Sequence, residues 1–351
     1  MTAVGIFTRI LDDASPAERY AHAVEQIRLA EQLGLDSAWV AQHHFDRDEG
    51  GLPSPLVLLS HVAAVTERIR LGTGIITLPL EDPVRVAEDA AVLDVLSGGR
   101  LELGLGNGGT PKSFPAFGRA HADRREIFAR HLAALLEALE GRALADERNH
   151  LYPPAAGLTR RIWQATFSVD GGARAGERGD GLMLSRTQPR PADAPDATLS
   201  ELQDPVIDAY LAALPEGVAP RILASRTLVV AEDPARLRPH AETGVRRAAQ
   251  GLRRQGHHLP EDDVDALLRR TDSHLGTPEQ VLAELAGDTA LARATDVSFQ
   301  VHSIDPPHED VLRSIELIAS EVAPALRAAS ADRAPAGRPG APAQLAGAPV
   351  A

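Results

Sequence analysis

Residues 39–109 decide the fold and contain the stretches WVAQHHF (39–45), GGLPSPLVLL (50–59) and RIRLGTGIITLPLEDPVRVAEDAAVLDVLSGGRLELGLGNGG (68–109). Three short apolar runs in this region each end in polar residues or glycines, at His43-His44, Thr73-Gly74 and Asn107. A helical pattern follows each run, directly or after a loop. The pattern predicts repeated strand–loop–helix units with the reactive groups at the carboxyl ends of parallel strands.

The same alternation extends over most of the chain. Eight strands are predicted, at Val4–Phe7, Ala38–Gln42, Ile69–Ile75, Leu101–Leu105, Arg161–Ala165, Gly181–Ser185, Leu223–Val230 and Asp296–His302. Predicted helices begin at Ser15-Pro16, Pro83 and Thr277-Pro278, and others cover Asp123–Glu140 and Pro306–Leu326. Alternating strands and helices favour parallel strands with right-handed crossovers. We therefore predict an α/β fold, a (β/α)8 TIM barrel over residues 1–327.

Three segments depart from the alternation. Thr187–Ala219 is rich in proline and polar residues, and Pro239–Ser273 is charged and mostly helical in pattern, with a turn near Gly256–Pro260. Both are predicted to be insertions after strands that supply substrate loops and a lid. From about Ala328 the chain is rich in alanine, proline and glycine, which predicts a disordered tail over 328–351.

Composition excludes several classes of function. The chain has 351 residues and no cysteine, so disulfides, thiol nucleophiles and cysteine-ligated zinc are excluded. A formal charge of −13 argues against a nucleic-acid or anionic-membrane surface. No apolar run approaches the roughly 18 residues of a membrane span, and the N-terminal residues do not resemble a signal peptide. A cytoplasmic protein is expected.

Two of the predicted strand ends carry candidate site residues. His43 and His44 could donate a hydrogen bond or move a proton near neutral pH, although a buried structural pair is the alternative. Thr73, Gly74 and Ile75 end the third strand, where a glycine allows close approach to the backbone. A flat ring across the barrel mouth would use that space, and a plain bulge is the alternative.

Backbone donors mark two further strand ends. Gly106 and Asn107 lie in a glycine-rich segment that only loosely imitates a dinucleotide fingerprint, because no helix starts directly after it. Ser168, Gly171 and Gly172 follow the fifth strand and open a helical stretch. A hydroxyl, free amides and a helix N-terminus together form an anion site. The alternative is that Ser168 only caps the helix.

Charged and imidazole groups elsewhere are ambiguous or uninformative. Ser185 and Arg186 end the sixth strand, and Arg226 lies in the seventh; an arginine there could bind a substrate anion, but pairing with a carboxylate is favoured. His257-His258 lacks a third ligand at metal spacing, so we predict no metal site.

The chain resembles the bacterial luciferase-like flavin monooxygenases over about residues 4–325. The matching stretches are AEQLGLDSAWVAQHHF, PSPLVLL, the segment 68–108, FPAFG, FSVDGGARAGERGDGLMLS and LGTPEQV. Within that family it is most similar to the stand-alone FMN-dependent branch. The resemblance implies a barrel with FMN at the carboxyl rim, a homodimer, and a flavin reductase that supplies reduced FMN.

The implied activity is an FMN-dependent monooxygenase that uses reduced FMN and dioxygen to oxygenate a small organic substrate. Two alternatives stay open at this point. One is a deazaflavin-dependent oxidoreductase that transfers hydride, and the other is a non-catalytic flavin-binding protein.

The resemblance also implies roles for individual residues. His43 falls on the catalytic histidine, Ser168 on a phosphate-binding serine, and a non-proline cis peptide would lie between Gly74 and Ile75. The chain departs from the family pattern in having Gln42 in place of a glutamate and Asn107 in place of an arginine. Gly171 likewise replaces a hydroxyl donor. The expected cofactor-binding residues are His43, Thr73, Gly74, Ile75, Gly106, Asn107, Ser168, Gly171, Gly172 and Ser185.

Overall fold

The computed structural model describes residues 1–146, 148–254, 259, 263–301 and 306–333. The strands are β1 (Ala3–Thr8), β2 (Ser37–Val40), β3 (Arg70–Thr73), β4 (Ile76–Thr77), β5 (Leu101–Gly106), β6 (Ile162–Ala165), β7 (Gly181–Leu184), β8 (Ile222–Val230), β9 (Ser273–Gly276) and β10 (Asp296–Gln300). The helices are α1 (Pro16–Gln32), α2 (Pro55–Ala63), α3 (Pro83–Leu96), α4 (Arg124–Leu139), α5 (Val169–Glu177), α6 (Leu199–Ala213), α7 (Pro234–Arg254), α8 (Val264–Arg270), α9 (Pro278–Leu285), α10 (Thr289–Ala292), α11 (His308–Leu317) and α12 (Ala323–Arg333).

Eight parallel strands close into a barrel. The order around it is β1, β2, β3, β5, β6, β7, β8 and β10. Closure comes from β10, which pairs with both neighbours: Val297 lies opposite Val4 of β1 and Ala224 of β8. The predicted TIM barrel is therefore confirmed, and each of the eight predicted strands coincides with a barrel strand.

Two short strands were not predicted. β4 has only two residues and pairs with β5, and β9 pairs with the distal half of β8 beyond the barrel. Neither has an apolar run long enough to be read as a strand. The predicted helix starts at Ser15 and Thr277 are confirmed, because each side chain caps its helix in a capping box.

The interior below the rim is filled by two tryptophans. Trp39 and Trp163 meet edge to face, with ring centroids 5.6 Å apart. Space for them comes from Gly72 and Gly181, where a Cβ atom would lie 2.1 and 2.2 Å from the respective indole rings. Met183 and Leu223 complete this cluster, so the barrel centre is a packed apolar layer and a ligand must bind above it.

The prediction that all of Thr187–Ala219 forms a substrate loop is wrong. Its second half is α6, which packs on the outer face of the barrel against α5. Pro205 lies inside this helix and weakened the helical pattern. The contact with α5 is close, because a Cβ on Gly172 would lie 2.5 Å from the carbonyl oxygen of Val206.

The other irregular segments have mixed outcomes. Pro239–Ser273 is mostly helical, as predicted, because α7 and α8 cover much of it. The predicted turn near Gly256–Pro260, which includes His257-His258, lies outside the described residues except for residue 259. His302, the last residue of the eighth predicted strand, also lies outside them. The tail does not begin at Ala328, because α12 continues to Arg333. Residues 334–351 lie outside the described part. No described helix combines the length and apolarity required to cross a bilayer.

Replacing Gly172 by alanine should destabilise the protein. The new methyl group would collide with the α6 backbone, and overpacking of this kind costs ~1–3 kcal/mol, which outweighs the gain of up to about 1 kcal/mol in helix propensity. Urea unfolding measures the difference in the free energy of unfolding. Gly157→Ala is the matched control, since nothing lies within 4 Å of its added Cβ. Equal stability of both variants would contradict close α5–α6 packing.

Candidate active site

A cavity of about 280 Å³ lies at the carboxyl ends of β1, β2, β6 and β7. Its apolar lining includes Phe7, Trp39 and Leu223, and its polar lining includes His43. A second cavity of about 120 Å³ adjoins it. Both are lined by Ala41, His43, Gly74 and Ile75. The larger cavity therefore rests on the packed apolar layer and has an imidazole in one wall.

His43 is held in a defined tautomer. Its backbone N–H donates to the carbonyl of Leu52 at 2.9 Å, and Nε of Arg9 donates to its Nε2 at 3.3 Å. A guanidinium has no acceptor, so Nε2 must be the acceptor and the ring proton resides on Nδ1. Burial, followed by the charges of Arg9 and Arg186, holds the pKa of His43 well below its usual 6.5. At neutral pH His43 is thus a neutral hydrogen-bond donor.

His44 and Gln42 have different environments from His43. His44 is buried, lines the smaller cavity and meets Phe117 edge to face at 4.9 Å. Burial lowers its pKa as well. Gln42 donates to Glu81 at 2.6 Å and accepts from the backbone N–H of Thr77 at 2.6 Å. The amide at the family's glutamate position therefore joins the β2 end to the segment after β3.

The peptide between Gly74 and Ile75 is cis, as the resemblance implied. Both residues line both cavities. Thr73 does not, because it is fully buried and its hydroxyl donates to the carbonyl of Gly104 and accepts from its N–H, both at 2.8 Å. Its side chain therefore holds β3 to β5 and is not available to a ligand.

Gly106 and Asn107 lie beside the cavities without lining either of them. A Cβ on Gly106 would lie 2.8 Å from Cδ1 of Ile75, so the glycine allows that side chain to pack. Oδ1 of Asn107 is buried and has no hydrogen-bond partner among the described residues. A buried acceptor without a donor favours a bound donor group nearby.

Ser168 caps α5. Its Oγ accepts from the N–H of Gly171 at 3.2 Å, which is the capping alternative that the sequence left open. Thr166, which lines the larger cavity, places its Oγ1 3.3 Å from Oγ of Ser168. Gly171 and Gly172 are buried, and a Cβ on Gly171 would lie 2.0 Å from that threonine hydroxyl. Close packing thus explains both glycines, while the α5 N-terminus stays adjacent to the cavity.

Ser185 and Arg186, which follow β7, and Arg226, which lies within β8, have different environments. Ser185 lines the larger cavity. Arg226 is fully buried and pairs with Asp288 at 2.5 Å, which confirms the prediction that it pairs with a carboxylate. Arg186 also lines the cavity, and its Nη1 donates to Thr227 at 3.2 Å.

Two residues that line the larger cavity, Phe7 and Arg9, were not predicted as site residues from the sequence. Their only signal was their position at the end of the first predicted strand.

One group of three potential metal ligands exists among the described residues, formed by Asp12, His22 and His308. Oδ1 of Asp12 lies 3.1 Å from Nδ1 of His22, and the two imidazole rings stack at 3.7 Å with an angle of 8° between their planes. Nitrogen lone pairs lie in the ring plane, so parallel stacked rings cannot both aim at an ion between them. The absence of a metal site stays a prediction.

Comparison with known proteins identifies the family. The family model described as luciferase-like monooxygenase matches residues 2–295. The chain therefore belongs to the luciferase-like monooxygenase family. Its homologues and structural neighbours include monooxygenases, and the chain is an enzyme.

Two relatives illustrate the range of similarity. The chain is 28% identical over 333 residues to the uncharacterized protein y4vJ of Sinorhizobium fredii, covering 89% of this chain and 93% of that protein. It is 34% identical over 187 residues to 4-hydroxyprotoasukamycin monooxygenase of Streptomyces nodosus subsp. asukaensis, covering 50% of each. The second match thus spans half of that enzyme.

Solved structures share the fold over nearly the whole chain. Monooxygenase RslO1 from Streptomyces bottropensis has a TM-score of 0.73 at 26% identity, covering 92% of this chain and 99% of that one. The oxygenating constituent of 3,6-diketocamphane monooxygenase of Pseudomonas putida, in complex with FMN, gives 0.72 at 20%, with 92% and 98% covered. An F420-dependent secondary alcohol dehydrogenase gives 0.67 at 18%, with 93% and 99% covered. Solved structures with this fold thus include one in complex with FMN and one that depends on F420.

Arg9→Gln should raise the pKa of His43, because it removes a cation that opposes protonation of the ring. NMR titration of the histidine Cε1–H signals measures the change, with His43→Gln assigning the signal. Arg85→Gln, on the exposed face of α3, is the control and should leave the pKa unchanged. Identical His43 titration in Arg9→Gln and the unaltered protein would show that Arg9 does not set the protonation state.

Proposed function

We propose that the protein is an FMN-dependent monooxygenase that uses reduced FMN and dioxygen to oxygenate a small organic substrate. The observation that carries the proposal is the larger rim cavity, with His43 in its wall and the N-terminus of α5 beside it. Family membership and the monooxygenase relatives support the same class of reaction.

The residues around the cavity fit a flavin. Phe7 and Trp39 offer apolar surface to a planar ring system, and the backbone at Gly74 and Ile75 borders the same space. Ser168 and the first-turn amides of α5 would hold the phosphate, because a helix N-terminus presents N–H donors and a positive dipole end. The two cavities share His43, Gly74 and Ile75 as lining residues, so a ring in one and a substrate in the other would both lie beside His43.

The protein's own part in the reaction is positioning, proton donation and exclusion of water. When bound, reduced FMN supplies the two electrons that let one atom of dioxygen enter the substrate and the other leave as water. His43 would donate from Nδ1, since Arg9 occupies its Nε2. The apolar floor of Trp39 and Met183 keeps water from the reacting groups. We also propose that a separate flavin reductase supplies the reduced FMN, as the resemblance implies.

Reduced FMN should bind this protein more tightly than reduced F420, the deazaflavin of the alternative function. Anaerobic titration can be followed by tryptophan fluorescence, because the chain has two tryptophans and Trp39 lines the cavity. Ser168→Ala should weaken FMN binding about tenfold, equivalent to ~1.5 kcal/mol for a hydrogen bond to a charged group. Admission of dioxygen with candidate substrates then tests oxygen incorporation.

Ser15→Ala is the matched control for Ser168→Ala. It removes the N-cap of α1 and should lower stability to a similar extent without changing FMN affinity. Tighter binding of F420, together with substrate oxidation in the absence of dioxygen, would replace the monooxygenase proposal by hydride transfer. Equal FMN affinity of both serine variants would remove Ser168 from the phosphate site.

We also propose that the protein forms a homodimer through α2 and α3. Exposed apolar side chains on these contacting helices include Val57, Val95 and Leu96, which are 72%, 63% and 62% exposed. An apolar groove of about 720 Å³ between α1 and α2 continues from Val57. Apolar surface of this kind favours association with another protein surface.

Val57→Glu should convert the dimer to a monomer, because a carboxylate would lose its hydration in an apolar interface. Sedimentation velocity measures the species present. Leu211→Glu, at an exposed apolar position on α6, serves as the control and should leave the dimer intact. A monomeric unaltered protein, or a dimeric Val57→Glu variant, would exclude this interface.

A further inference from the structure

Two arginines face the cavity that contains His43. Arg9 follows β1 and Arg186 follows β7, and both line the larger cavity from different sides of the barrel. Each is half-buried, so its guanidinium is withdrawn from bulk solvent and accessible from the cavity. Register around the closed sheet, and not proximity in sequence, brings them to the same space.

Neither arginine forms an ion pair within the described part of the chain. Arg9 donates to Nε2 of His43 and to the carbonyl oxygen of Glu49. Arg186 donates to the hydroxyl of Thr227. A guanidinium has five N–H donors, so these neutral acceptors use only part of its capacity.

Several other half-buried or buried arginines have carboxylate partners, whereas Arg19 and Arg100 donate to backbone carbonyls and do not line the cavity that contains His43. The pairs are Arg70 with Asp296, Arg161 with Asp94, Arg190 with Asp272 and Arg226 with Asp288. A buried charge without a counter-ion is unfavourable unless hydrogen bonds or a bound ion of opposite charge compensate it. Arg9 and Arg186 differ from both groups because they line the cavity that contains His43 and have donors left over.

The acidic groups nearest to the two arginines are engaged by other cations. Asp272, near Arg186, pairs with Arg190 at 2.5 Å. Asp46 and Glu49, near Arg9, both pair with Lys112. The chain as a whole carries a formal charge of −13, so the positive charge in this cavity is a local feature.

Burial and like charge act on both groups. Burial, followed by the charge of Arg9, lowers the pKa of Arg186 to about 9. Burial, together with the charge of Arg247, lowers the pKa of Arg9 to about 10. Both remain cations at neutral pH. Two unneutralised cations beside one cavity are stabilised by an anion bound between them.

We propose that Arg9 and Arg186 bind the oxyanion of the substrate, a carboxylate or sulfonate on an otherwise apolar organic molecule. A planar guanidinium matches such an anion through two parallel hydrogen bonds. The apolar remainder would lie against Phe7 and Leu223, within reach of His43, because Nε of Arg9 is only 3.3 Å from that ring. This inference rests on the proposed function, since it names the substrate class of the same site.

The cavity arginines are assigned to substrate and not to the FMN phosphate for a geometric reason. The phosphate position is the N-terminus of α5 beside Ser168, whereas Arg9 contacts the imidazole expected next to the reacting end of the flavin. An anion held at Arg9 is therefore positioned for chemistry beside His43.

The test compares matched six-carbon probes on the full chain. Hexanoate, hexanesulfonate and hexan-1-ol are titrated while tryptophan fluorescence is recorded, first without FMN and then with FMN present. Either anion or both should bind at least tenfold more tightly than the alcohol. Arg186→Gln should lose that tenfold preference, and Arg186→Lys should recover part of it because the charge is restored.

Arg313→Gln is the control, since Arg313 lies on the exposed face of α11 and pairs with Glu232. It should retain the full preference for anions. Equal binding of hexan-1-ol and the anions to the unaltered protein overturns the proposal without requiring any variant. Weaker FMN binding by Arg186→Gln, with anion binding unchanged, would assign the pair to the cofactor and also overturn it.

Failure of the proposed function gives a different result. Anion binding that depends on Arg186, in a protein that binds no reduced FMN, would retain the anion site and remove the monooxygenase. FMN binding and oxygen incorporation with neutral substrates only would retain the monooxygenase and remove the anion site.

Discussion

Closure of the parallel sheet is the constraint on which the remaining structure depends. Because β10 pairs with both β1 and β8, no strand edge of the barrel is left open, and all eight carboxyl ends meet on one rim. Arg9, His43 and Gly74 follow the adjacent strands β1, β2 and β3, and closure brings Arg186, which follows β7, to the same cavity. The site is therefore a property of the strand register.

The packed layer beneath the rim determines how deep a ligand can enter. Gly72 and Gly181 make room for the indole rings of Trp39 and Trp163, and the resulting layer closes the barrel below the cavity. A side chain at either glycine would displace the floor. Gly72 and Gly181 lie below the rim, yet they keep the cavity above the tryptophan layer open and apolar.

Electrostatics then differentiates residues that look alike in sequence. His43 and His44 are adjacent, yet His43 accepts from Arg9 whereas His44 packs against Phe117. Arg186 and Arg226 both lie near strand ends, yet Arg226 is neutralised by Asp288 and Arg186 has no such partner among the described residues. Chemical role follows from the partners that folding supplies, because a pKa responds to burial and to charges within a few ångströms.

The sequence alone determined the strand–helix alternation, the caps at Ser15 and Thr277, and the family, because these depend on neighbours a few residues apart. It also indicated His43, Gly74 and Ser168 as rim residues. Tertiary structure decided that Thr73 is structural and that α6 lies within a proline-rich segment. It also decided that Arg9 and Arg186 line the same cavity. Hydrogen bonds and ion pairs join residues tens to hundreds of positions apart, so only the folded register specifies them.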